Sequence, residues 1–261
     1  MRRLIGVMTI AALLATLVAA GLPGVATATA TCSPTGFYRD GINLTAAQIG
    51  GSVTGALDAG GCDIGVYFNG ANPGSVTDAT IAHARYFGVV VDGGAGNVTI
   101  NVTGSTVSDI GDSPFDGNQH GVAVYYYGYG TTGTVTGMVS GNTVSAYQKG
   151  GIVVSGTNAA VDVTDNMVTG LGPVPFIAQN GIQFGYGASG SATGNTISGN
   201  DYSGSGYVSA GLLLFDVAAN AVSTSNNHYS GNQRNRVLVT TQACPSMYGG
   251  VYGSWDICIL N

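Results

Sequence analysis

Glutamate does not occur in this 261-residue chain, and Lys149 is its only lysine. Both are residues that sustain helix surfaces, so their lack argues against a helical fold. All thirteen acids are aspartate, whose short side chain bonds nearby backbone and suits turns. Charged residues make up only 8% of the chain. Beyond residue 30 the basic groups are Arg39, Arg85, Lys149, Arg234 and Arg236, too few to displace counterions from a phosphate backbone. Nucleic acid is not an expected partner. No strand–GxGxxG–helix context exists, even in the glycine- and tyrosine-rich stretch Gly121–Gly130, so no nucleotide cofactor is expected.

Long apolar runs are equally scarce. The one example, Leu4–Ala20, follows Arg2 and Arg3 and leads to Ala-x-Ala endings at Ala26–Ala28 and Ala28–Ala30. Residues 1–30 therefore read as a secretory signal peptide, and the mature chain is expected to be extracellular with no membrane span. An oxidising destination suits disulfides, and the four cysteines sit near the ends of the mature chain. Four cysteines allow three pairings. Cys32–Cys62 and Cys244–Cys258 are favoured because each would lock one terminus, which also makes cysteine-held zinc unexpected.

What the chain has in abundance is a period. A glycine followed by a short apolar strand recurs at Gly65, Gly88, Gly121, Gly151, Gly181 and Gly211, with spacings of 23, 33, 30, 30 and 30 residues. A last copy lies at Val237-Leu-Val. A second element follows each strand, at Asn142-Thr-Val-Ser, Asn166-Met-Val-Thr, Asn195-Thr-Ile-Ser and Asn227-His-Tyr-Ser, with degenerate copies at Ala79 and Ser105. Such a repeat predicts a solenoid, each coil being too short to bury a face alone. A β-sandwich would show hairpin turns in place of a one-direction repeat. The expected fold is all-β: a right-handed parallel β-helix of about seven coils over residues 63–240, between an N-terminal cap (31–62) and a C-terminal cap (241–261). Alternation predicts Val89, Val122, Ile152, Ile182 and Leu212 inside, with Val91, Val124, Val154, Phe184 and Leu214. The repeated glycines are expected at a corner requiring positive φ or close backbone approach, and the asparagines as a turn ladder.

Three segments, Tyr147-Gln-Lys-Gly-Gly-Ile, Ile177-Ala-Gln-Asn-Gly-Ile-Gln and Gly194-Asn-Thr-Ile-Ser-Gly-Asn, resemble bacterial right-handed β-helix repeat proteins of the pectate-lyase-like superfamily. The resemblance spans roughly residues 63–240. It implies the fold, and a functional range of polysaccharide lyases, glycoside hydrolases, uronan epimerases and proteins without known reaction. No lyase motif and no adjacent pair of aspartates of the polygalacturonase kind occurs, so no catalytic residue carries over.

Candidate residues come instead from position. The loops before the glycine strands hold His83, Arg85, Asp109, Asp112, Asp116, His120, Tyr147, Lys149, Gln179, Asp201, Arg234 and Arg236, which stacking should align into one stripe. Lys149 or His120 is the expected base for removing a proton beside a uronate carboxylate, with Arg85 or a metal neutralising the acid. Tyr125, Tyr127, Tyr147, Gln179, Gln183 and Arg234 are the expected substrate contacts, Tyr126 and Tyr129 offering further rings. Asp109, Asp112 and Asp116 are candidate Ca²⁺ ligands. Paired carboxylates among Asp109, Asp112, Asp116 and Asp201 would support hydrolysis, and the same groove without catalysis would bind glycan. The expected partner is an extracellular polysaccharide, bound by a monomer.

Overall fold

A computed structural model describes residues 30–218, 220–240, 249–252 and 255–260. Residues 1–29 of the expected signal peptide (1–30), and Cys244, lie outside the described residues. The chain winds as an all-β parallel solenoid of about seven turns. One sheet stacks Ile42–Ile49, Ile64–Asn69, Phe87–Asp92, Val122–Tyr127, Gly150–Ser155, Asn180–Gly185, Ala210–Phe215 and Arg234–Thr240, all parallel. Antiparallel strands close it at both ends, Ser33–Arg39 at one and Trp255–Leu260 with Gly249–Tyr252 at the other. The facing sheet collects two strands per coil, such as Ala159–Thr164 and Met167–Val174.

The core between the sheets follows the alternation. Val66, Val89, Val124, Ile152, Ile182 and Leu212 form one inward column, each fully buried. Each such side chain contributes about 1.5–3 kcal/mol on burial. Val154 and Phe184 are fully buried in a second column.

The third repeat departs from the sequence expectation. Val122 pairs with Phe87 and Gly150 and faces outward, while Val124 and Tyr126 point inward. Ala123, not Gly121, stands beside Gly88. Matching glycine to glycine misaligned this coil because its long loop changes the spacing without changing the stack. Tyr126 fills the interior and its hydroxyl donates to the Ile100 carbonyl at 2.6 Å. Close approach, not left-handed backbone, explains the corner: none of Gly88, Gly151, Gly181 and Gly211 has positive φ. A Cβ on Gly151 would meet the Gly181 carbonyl oxygen at 2.5 Å.

The asparagine ladder is present. The backbone N–H and Nδ2 of Asn142 donate to Asn166 Oδ1 (3.0 and 2.9 Å), Asn166 donates likewise to Asn195, and Asn195 to Asn227. Each Nδ2 also donates to a carbonyl, at Val102, Val139, Val163 and Ala192 in turn. A buried amide left unsatisfied costs about 1–3 kcal/mol, so the ladder holds register as well as stability. The degenerate copies join it, Ser105 accepting from Ala79 and donating its N–H to Asn142.

The Cys32–Cys62 disulfide ties the N-terminal region. Cys258 is buried and disulfide-bonded. The parallel ladder starts within the segment expected as a cap: Ala46 already pairs with Ile64, and Thr45 donates twice to Asp63 at 2.9 Å.

Candidate functional site

The expected single stripe of polar loop residues divides into three parts. One is a closed cluster. Asp112 accepts from Arg85 Nε at 2.9 Å, from Asn118 Nδ2 at 3.0 Å, and pairs with His120 Nε2 at 2.7 Å. His120 is buried and stacks on Tyr86 (centroids 4.0 Å apart), whose ring also carries the Arg85 guanidinium at 5.3 Å. Burial pushes the Asp112 carboxyl up, yet hydrogen bonds from Asn118 and Arg85 and the charge of His120 outweigh it and hold it well below the ordinary range. Arg85 and His120, expected at a catalytic centre, are thus committed to Asp112.

A second part is structural. Tyr147, expected as a sugar contact, is fully buried in the core, where its hydroxyl bonds Asn200. Gln179, also expected at the substrate, is fully buried and braces the coil: its amide donates to the Tyr147 and Gln148 carbonyls and accepts from Leu171 N–H. Long polar side chains next to a glycine strand can turn inward as readily as outward: backbone groups of the corner claim Gln179, and the Asn200 side chain takes the Tyr147 hydroxyl. Arg234 is exposed and donates to the carbonyl of its own neighbour, Gln233. Arg236 occupies the register position of Leu212 and donates to Thr224.

The expected calcium ligands are dispersed in purpose. Asp112 is saturated as described, Asp116 accepts from Asn118 and Gln148, and Asp109 accepts from Ser108. Among the described residues no group of three histidine, cysteine or acidic side chains is placed to hold a metal ion.

The third part is a groove on the outward face of the first sheet. Two adjoining hollows of about 510 and 280 Å³ share Gln119, Lys149, Gln183 and Tyr186. Tyr125, Tyr127, Tyr129, Val153, Ser155 and Arg39 line the first, and Asn180, Tyr207, Leu213 and Phe215 the second. Tyr125 stacks on Phe87 with centroids 5.1 Å apart, while Tyr129 and Tyr186 meet edge to face at 5.3 Å. The outward column is Val90, Tyr125, Val153, Gln183 and Leu213.

Lys149 reaches this groove from the corner before Gly150. Its ammonium donates to the Ala178 carbonyl at 2.8 Å, and burial lowers its pKa to about 8. Among the described residues no carboxylate lies within ion-pair distance of Lys149 or Arg39. Among the described residues no aspartate lines either hollow, and Asp92 lines the next one, which shares Tyr127 and Tyr129. The groove is a cationic, tyrosine-edged trough on an acidic protein.

Of the expected residues, the structure gathers Lys149, Tyr125, Tyr127, Tyr129 and Gln183 here. Arg39, Gln119 and Tyr186 were not foreseen. For Arg39 a signal existed: Asp40-Gly41 is a two-residue hairpin turn, and both residues have positive φ (52° and 77°). No family model, curated protein or solved structure matches the chain.

Proposed function

We propose that the groove binds an extended acidic polysaccharide and that Lys149, as the neutral amine, removes the carbon-bound proton beside a uronate carboxylate. The carrying observation is that two cations without an ion-pair partner share these hollows and that, among the described residues, no carboxylate lines them. An acidic sugar supplies the missing charge, and the tyrosine rings offer faces to the pyranose. The parallel β-helix and the likeness of its repeats to pectate-lyase-like proteins support the substrate class by analogy.

In the reaction the C5–H bond breaks and its proton passes to Lys149 Nζ. The electron pair forms the C4–C5 double bond as the C4–O bond to the leaving sugar breaks, and that oxygen takes its proton from solvent water. Return of a proton to the opposite face of C5 would instead give the epimer. A lysine with pKa about 8 is half neutral at that pH, unlike an ordinary lysine near 10.4. The reading places this chemistry outside the cell, carried out by a monomer after export directed by residues 1–30. Calcium enters only as a bridge between an acidic polymer and an acidic protein.

One observation favours a second reading, capture without catalysis. Among the described residues neither histidine nor carboxylate lines the two hollows to protonate a leaving oxygen. Among its titratable groups other than the cations, burial pushes the Tyr125 and Tyr127 phenols up. The same lack leaves paired-carboxylate hydrolysis without support.

The test is incubation with uronate polymers, with and without calcium, from neutral to alkaline pH. Unsaturated uronate is followed by absorbance and epimerised residues by NMR. Product formation is expected to rise through pH 8, and Lys149→Met should lower it by a factor on the order of 100 or more without changing the melting temperature. Binding without either product at any pH would leave capture as the function.

A further inference from the structure

The N-terminal hairpin does more than close the end of the solenoid. Its turn fixes Arg39 opposite Ile42, and its buried Phe37 lies against Tyr67, Phe87 and Tyr127 (centroids 6.1, 6.1 and 5.3 Å). Those three rings belong to three successive coils, so the hairpin straps across the outward face of the sheet. The Cys32–Cys62 disulfide anchors its first strand, and Asp63 holds Thr45 of its second. The placement of Arg39 is therefore determined by packing on both sides of the turn.

From that position Arg39 lines the groove beside Tyr125, while Lys149 lines it from the loop before Gly150–Ser155. The half-buried Arg39 guanidinium has phenols for neighbours and, among the described residues, no ion-pair partner. A planar guanidinium offers two parallel N–H donors matched to a carboxylate, a geometry an ammonium cannot supply. We propose that the hairpin is the specificity element of the groove and that Arg39 reads the ligand's carboxylate, distinguishing a free uronate from its ester or from a neutral sugar. The inference rests on the acidic-glycan reading of the groove. It adds which residue selects the acid and which part of the fold presents it.

The experiment measures binding by calorimetry for wild type, Arg39→Lys and Arg39→Gln. The probes are oligogalacturonate and oligomannuronate, each also as its methyl ester, and melting curves are recorded in parallel. Wild type should favour the free acid. Arg39→Gln should lose about tenfold or more on the acid, in the range of a charge-assisted pair, with ester binding and melting unchanged. Arg39→Lys should fall between, since charge remains without the fork. A wild type that binds no probe, or binds acid and ester alike, overturns the acidic-glycan reading itself. A wild type that discriminates, joined to an Arg39→Gln variant that discriminates equally, overturns the role of Arg39 alone. Equal loss on acid and ester with a lowered melting temperature also overturns it, by making Arg39 a support of the hairpin.

Discussion

Arg85 and Lys149 occupy corresponding loops of the solenoid, each just before a strand of the first sheet, yet their surroundings are opposite. Arg85 shares Asp112 with His120 and lies over Tyr86, so its charge is answered inside the protein. Lys149 sits one loop beyond His120 with a carbonyl as its bonded partner and a pKa lowered to about 8 by burial. An answered charge holds a loop in place. An unanswered one, kept partly out of water, is a standing cost that a ligand of opposite sign can relieve. The comparison separates scaffold from site where residue type alone does not.

The sharpest break in that comparison comes from two adjacent valines in the strand following Lys149. Val154 is fully buried in the core, whereas Val153 faces the groove. Val154→Asp should prevent folding, seen as loss of the β-sheet circular dichroism signal, because it buries an unpaired carboxylate. Val153→Asp should keep the fold but abolish binding of acidic oligomers, since it places a carboxylate among the groove's cations. Equal loss of structure in both variants would undo the assigned faces.

Next in size is the effect of removing the answered charge. Asp112→Asn should lower stability by about 1–3 kcal/mol in chemical denaturation, leaving Arg85 and buried His120 without their counter-ion. Its direct effect on uronate turnover should be small. The folded-state pKa of Asp112 lies below its unfolded value near 3.9, so its contribution is fully present above that pH and is lost as pH falls toward the folded value. Acid unfolding of wild type should therefore steepen below about pH 4, and the variant should lack that component.

The smallest effect concerns the aromatic edge. Tyr186→Ala, at the junction of the two hollows, should weaken binding of long oligomers by about 0.5–1.5 kcal/mol and that of a monosaccharide hardly at all. Titrations with oligomers of increasing length would show it, and an effect independent of length would remove Tyr186 from the path of the polymer.

The solenoid was legible because it repeats. The glycine strands, the Asn142–Asn166–Asn195–Asn227 ladder and the N-terminal disulfide all follow from residues recurring at fixed intervals or placed at the ends. Two registers were misread: at Val122–Tyr127, where a long loop interrupted the interval and Tyr126 turned inward, and at the last copy, where Arg236 pairs with Leu212 and Val237 stands beside the outward Leu213. Composition and period are properties of the chain itself, and they determined an all-β stack with loops aligned along its side.

Only the tertiary structure decided which polar loop residues face the groove. Tyr147 and Gln179 looked like surface contacts, but Tyr147 packs in the core with its hydroxyl on the Asn200 side chain, and Gln179 turns in to satisfy backbone carbonyls at the corner. His120 and Arg85 looked like catalytic candidates, but Asp112 lay close enough to take both. Arg39 lies far from Lys149 in sequence, and only the folding of the hairpin across successive coils brings both to one trough. Local pattern fixes which way a strand runs and which face it buries. Whether a charge is spent within the fold or held for a ligand depends on distances between coils, which no local pattern encodes.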